Sequence, residues 1–228
     1  MPSSAATAHP RYNALLAEWC ELLRRCQTDP ESAPDQSAPD PAPYGRDLLD
    51  RWAEPQRRYH TLDHLVAVLI RTTELTAYTD NPDTVALAAW FHDAVYRPDR
   101  EENEERSARL AEHALPEAGV GADRTAEVAR LVRLTVTHTP AAGDRNGEVL
   151  CDADLAVLAG DPAAYAAYAA AVREEYAFVP DDVFRAARAT VLRRLLDLPA
   201  LFRTPYGQEQ WEAVARRNLV TELELLEA

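Results

Sequence analysis

The chain contains no lysine: all 24 of its basic residues are arginine. That absence excludes Schiff-base catalysis and the lysine of a P-loop or kinase-type phosphate site. It leaves arginine, which grips phosphate through two parallel hydrogen bonds. Glycine (7) and phenylalanine (4) are scarce against abundant Ala, Leu, Arg and Glu, a balance that favours helix throughout. There is no internal repeat and no alternation of period two long enough for a sheet. The three cysteines, Cys20, Cys26 and Cys151, lack metal-ligand spacing and are expected to be reduced, buried thiols. No apolar run approaches the length of a membrane span. Met1 is followed by Pro2-Ser3-Ser4, not by a basic stretch and an apolar core, so no signal peptide is read and a cytoplasmic location is expected. A net charge of -14 and a pI near 4.8 argue against a partner such as extended nucleic acid.

What is present points to one all-α domain over residues 1–228, since the chain is long enough for one sizeable core and is 47% hydrophobic. Apolar residues at helical spacing predict helices over Tyr12–Cys26 and Thr61–Thr76. A short helix is expected over Gly45–Ala53. The stretch 28–43 carries prolines at 30, 34, 39, 41 and 43 and is expected to be a loop inside the domain. Asn81-Pro82 starts an almost wholly apolar helix over Asp83–Val95, which stops before Pro98. Further helices are expected at Asn103–Ala114, at Asp123–Thr137 with Asp123 as cap, and at Val149–Leu158 closed by Gly160. Three more complete the chain: Asp161–Tyr176, Pro180–Leu196 and Gln208–Leu226.

Six residues carry the chemistry. His60 and His64 are four apart, so one helical face would present both, but helix entry at Thr61 puts His60 just outside and His64 in the first turn. A zincin-type reading needs glutamate after the first histidine, and position 61 is Thr. His92 and Asp93 close the most apolar helix, where an ionised aspartate is costly unless paired or bound to a cation. Adjacent side chains diverge on a helix, so both reach one ion only where the helix is ending. Asp152 and Asp154 flank Ala153 in an equally apolar stretch; one is expected to bind a metal while the other caps a helix or orients a ligand. Mixed imidazole and carboxylate donors suit a divalent cation such as Mn, Fe, Co, Ni, Zn or Mg, without choosing among them.

Tyr59-His60-Thr61-Leu62-Asp63-His64, Phe91-His92-Asp93-Ala94-Val95-Tyr96 and Asp152-Ala153-Asp154-Leu155 together resemble the HD-domain superfamily of metal-dependent phosphohydrolases. The similarity extends to Asn103-Glu104-Glu105-Arg106-Ser107-Ala108, to Thr135–His138, and from Tyr168 through Arg173-Glu174-Glu175-Tyr176 to Arg188. The resemblance implies an HD-type helical bundle with additional C-terminal helices, and metal ligands at His64, His92, Asp93 and Asp154, with Asp152 as the alternative for the last. By similarity to the related cyclic-nucleotide phosphodiesterases, His60 would protonate the leaving oxygen. Glu104 and Glu105 fall where relatives place an acidic residue that handles the attacking water. His138 is either part of a second metal site, an outer partner of the ligands, or a plain helix-end histidine. His9 and His113 carry no motif, and His113 is expected to face solvent.

The activity this implies is hydrolysis of a phosphate ester of a small molecule, a nucleotide among the options, by a metal-activated water. Arg58 and Arg97 are the first candidates for the substrate phosphate, with Arg57, Arg173 and Arg188 behind them. Two other readings stay open: an HD-fold di-iron oxygenase, which needs more histidines than His138 supplies, and a non-enzymatic regulatory or scaffolding module with a structural metal.

Overall fold

Scarce glycine and abundant helix formers give a chain that is all helix and turn among the described residues, which in this computed structural model are 4–27 and 38–228. The elements are α1 (Ser4–Ala8), α2 (Tyr12–Gln27), α3 (Ala42–Trp52), α4 (Leu62–Glu74), α5 (Pro82–Phe91) and α6 (Asn103–Glu117). They continue with α7 (Ala122–Leu134), α8 (Arg145–Leu155), α9 (Pro162–Glu175), α10 (Asp181–Leu196), α11 (Pro205–Gln210) and α12 (Glu212–Glu227). Short 3-10 turns cover Thr76–Tyr78 and Ala156–Ala159. Most of the expected proline-rich loop, residues 28–37, lies outside the described residues. No single described helix is long and apolar enough to cross a membrane.

The apolar helix α5 needs partners on every side, and it has them: α2, α4, α6, α7 and α8 all pack against it. Trp90 meets Trp19 edge-on at 5.3 Å, and the buried Trp52 donates its indole N–H to Trp90 O at 3.0 Å. A side chain at Gly45 would run into Trp19, so the α2–α3 crossing requires glycine there. Behind the core, α10 packs on α12, with Arg188 Nε 2.8 Å from Glu222 Oε1 and Tyr165 Oη donating to Glu222 Oε2.

Several boundaries differ from expectation for identifiable reasons. The helix expected to reach Val95 ends at Phe91, because Ala94 N closes back on Phe91 O (3.0 Å) and Val95 N turns to Ser107 Oγ (3.0 Å), so neither continues the ladder. α3 starts at Ala42, three residues early, with Pro41 just before it and Pro43 tolerated in its first turn. α6 runs on through Pro116 to Glu117. Gly121, not Asp123, caps α7, and Asp123 sits in the first turn, where its charge meets the positive helix end. α8 starts at Arg145, four residues early, since the Asp144 carboxylate accepts from Gly147 N at 3.0 Å. The expected C-terminal helix is two helices. Thr204 caps the first one, and the chain breaks at Trp211, which is held edge-on to Phe202 and Tyr206 at 5.4 and 5.3 Å.

Candidate metal centre

Three helices deliver the central residues. Thr61 is extended (φ -107°, ψ -177°) and turns the chain into α4, which puts His64 in the first turn and leaves His60 before it. His92 is the residue after α5, and Asp93 follows in the turn. Asp154 lies near the end of α8. α4 packs on both α5 and α8, so residues 64, 92 and 154 meet.

His64 Nε2 is 3.2 Å from His92 Nε2 and 3.2 Å from Asp154 Oδ1, while His92 Nε2 is 3.6 Å from the same oxygen. Asp93 Oδ2 stands 3.3 Å from His92 Nε2 and 4.0 Å from His64 Nε2. Both histidines are almost fully buried. His92 Nδ1 faces Ala89 O at 2.8 Å and donates to it, which leaves Nε2 of the neutral ring as a lone pair aimed at the other donors.

This donor set fits a cation. Ligands held at roughly 2.0–2.2 Å from one ion stand roughly 3–3.5 Å from each other, close to the 3.2–3.6 Å that separates His64 Nε2, His92 Nε2 and Asp154 Oδ1. Among the described residues, His64, His92 and Asp154 are the group whose ligand atoms converge closely enough to share one ion. Without an ion the electron-rich atoms have to share protons. Burial opposes charge on His92, yet the Asp93 and Asp154 carboxylates outweigh it and push the imidazole up to about 9. Burial lowers His64, with Asp154 pulling the other way. Burial works against the Asp154 anion too, but His92, His138 and His64 hold it well below the usual carboxylate range.

Asp152 goes elsewhere. Residues two apart on a helix point about 200° apart, so α8 cannot offer both aspartates to one point. Asp152 Oδ1 accepts from Arg203 N (2.7 Å), and Oδ2 accepts from Thr204 N (2.8 Å) and Thr204 Oγ1 (2.7 Å). Burial pushes this carboxyl up to about 6 against the pull of those donors. Asp152 thus anchors the entry to α11. His138, one turn beyond α7, places Nε2 2.8 Å from Asp154 Oδ2, on the oxygen that does not face His64.

His60 stands beside the cluster with Nε2 3.8 Å from Asp93 Oδ2. Its ring stacks on Tyr96 at 4.1 Å, and its Nδ1 lies 2.5 Å from Glu175 Oε1. The other Glu175 oxygen accepts from the backbone N–H groups of Arg58, Tyr59 and His60 at 2.8, 3.0 and 3.2 Å. Burial raises this carboxyl, but these bonds, led by His60, prevail and bring it down to about 2. Glu175 is the site residue that the local motifs did not single out. It lay within the stretch resembling HD domains, but nothing in its spacing tied it to His60, 115 residues away.

The turn holding Asp93 is stapled from α6. Ser107 Oγ accepts from Val95 N and donates to Val95 O (3.0 and 3.2 Å), and Asn103 pairs with both the N–H and the carbonyl of Arg97 (3.0 and 2.9 Å). This register brings Glu104 into the field of Asp93, His138 and His60, and burial, with the Asp93 charge, raises its carboxyl. Glu105 faces away, held by Arg133 and Arg109.

The arginines divide. Arg57 is buried and binds His60 O and Asp93 O, so it joins the two motif turns and has no free face for phosphate. Arg58 is occupied by Glu174 and by two carbonyls, of Pro55 and Arg57. Arg173 binds the carbonyls of Tyr176 and Val179, and Arg188 binds Glu222. Arg97 is half exposed, with only a 3.3 Å contact to Asp99. His113 faces solvent, and His9 pairs with Asp63 at 3.1 Å on the outside of α4. Comparisons of the chain with family models, with curated proteins and with solved structures find no match.

Proposed function

We propose that this chain is a metal-dependent phosphohydrolase of the HD type, acting on a phosphate ester of a small molecule. The observation that carries the reading is the convergence of His64, His92 and Asp154 beside a histidine that is held from behind by its own carboxylate. His64, His92 and Asp154 would hold a divalent ion, with Asp93 as the adjacent fourth donor. Such an ion supplies an acidified water and neutralises charge on phosphoryl oxygens. His60 does not sit among the ligands. With Nδ1 bonded to Glu175, its Nε2 is free to pass a proton to the departing oxygen. Glu104, whose carboxyl burial raises, would take a proton from the attacking water. Of the nominated arginines, Arg97 is the one left to meet the phosphate.

The test is elemental analysis of the purified chain, then a panel of phosphomonoesters and phosphodiesters with and without added Mn2+, Co2+, Zn2+ or Mg2+. About one to two ions per chain and metal-dependent phosphate release are expected. Bound metal with no hydrolysis of any ester would overturn the enzymatic part. Iron with uptake of dioxygen would replace it by the oxygenase reading.

A further inference from the structure

His138 is the one non-glycine residue among those described whose backbone is left-handed, at φ +50°. Histidine adopts this region at a cost in free energy. The local return is one bond, His138 N–H to Leu134 O at 3.0 Å, which a glycine would make in the same conformation without strain, so it does not call for histidine. What the conformation achieves is on the side chain. It swings the imidazole back across the end of α8, so that Nε2 reaches Asp154 Oδ2 at 2.8 Å, with the ring only about one-fifth exposed.

Asp154 has two oxygens and two kinds of neighbour. Oδ1 faces His64 and His92, and Oδ2 faces His138 alone. A carboxylate free to rotate would offer either oxygen, or both, to an ion. A donor fixed on Oδ2 selects Oδ1 and a one-oxygen contact. We infer that His138 is a positioning residue: it spends backbone strain to clamp Asp154 Oδ2, and so sets how Asp154 presents itself to a metal at His64 and His92. The inference rests on the metal reading above and assigns His138 a place outside the ligand set.

Two substitutions separate the strain from the clamp. His138→Gly adopts φ +50° freely but has no donor. His138→Gln retains an N–H donor on a long side chain and keeps the strain. The probe is Co2+ alone, titrated into the metal-free full chain and followed by the visible d–d absorption, with melting of the metal-free protein as the second readout. His138→Gly is expected to melt no lower than wild type without metal, yet to bind Co2+ roughly 10- to 100-fold more weakly. Its cobalt spectrum should also change, because Asp154 can now turn. His138→Gln should recover part of the affinity and the wild-type band shape. Stoichiometry should be the same in all three proteins.

A purely structural His138 would give the opposite pattern, a lower melting temperature and an unchanged cobalt affinity, and that result overturns the inference. So does loss of one whole cobalt equivalent in His138→Gly, which makes His138 a ligand of a second ion. A wild-type chain that takes up no cobalt at all removes the metal reading together with this one. A wild type that binds while the glycine variant binds equally well removes this one alone.

Discussion

His60 and Glu175 illustrate what a single pair of side chains can decide. The Glu175 carboxylate takes three backbone N–H groups on one oxygen and the His60 ring on the other, so both the turn at 58–60 and the imidazole are fixed by one group. His60→Ala is therefore expected to keep its metal and to lose turnover by roughly 10²- to 10⁴-fold, the usual contribution of a general acid. The loss should be smaller for aryl phosphates, whose leaving groups need little protonation. Metal loss from His60→Ala in elemental analysis would make His60 a ligand instead. Glu175 also links this turn to pH. Its carboxyl is at about 2 in the folded chain, below the ordinary value near 4.5. Its contribution to stability is complete above pH 4.5 and is lost as the pH falls toward 2, by about 3 kcal/mol in all. Glu175→Gln should flatten the acid limb of a stability-against-pH curve measured by urea unfolding over that window; an unchanged limb would contradict the role given to the carboxylate.

At the scale of the element, α8 shows why the sequence left a choice and how helix geometry closes it. Asp152 and Asp154 share composition and apolar surroundings, so the pattern could not rank them by itself. The fold turns one toward α4 and the other toward residues 203–204, because neighbours two apart leave a helix on nearly opposite sides. Their variants should fail differently. Asp154→Ala is expected to lose metal without unfolding. Asp152→Ala strands Arg203 N, Thr204 N and Thr204 Oγ1 in a buried place, and should cost roughly 2–5 kcal/mol of stability while keeping its metal sites. Calorimetry and metal content of the two variants, compared side by side, check this; a stable, metal-free Asp152→Ala would exchange the roles. The helical periodicity, the Asn81-Pro82 and Asp161-Pro162 starts and the entry at Thr61 were legible from residue type alone. The end of α5 was not, since it depends on Ser107 reaching across from α6 to take the N–H of Val95. Glu175 was not singled out for the same reason: its partners are more than a hundred residues away, and no short-range pattern records them.

For the molecule as a whole, the centre joins parts of the chain that are distant in sequence. His64, His92 and Asp154 come from α4, α5 and α8, and those helices hold the buried middle of the fold around α5. The same region concentrates the Asp93 and Asp154 carboxylates, which without an ion are held only by protons shared among His64, His92 and His138, within a chain whose net charge is -14. An ion that binds only the folded chain therefore stabilises all three helices at once, and its removal should be felt globally. At an ion concentration about 100 times the dissociation constant, binding stabilises the folded state by about 2.7 kcal/mol. For a chain of this size that corresponds to a rise in melting temperature of roughly 5–10 °C. Calorimetric scans of metal-loaded and chelated protein should show that difference as a single shifted transition, and readdition of Mn2+ or Co2+ should restore it. Asp154→Ala should melt at one temperature whether or not the ion is added, because the ligand that would report it is gone. An equal shift in wild type and Asp154→Ala would mean that the stabilising ion binds somewhere other than between α4, α5 and α8.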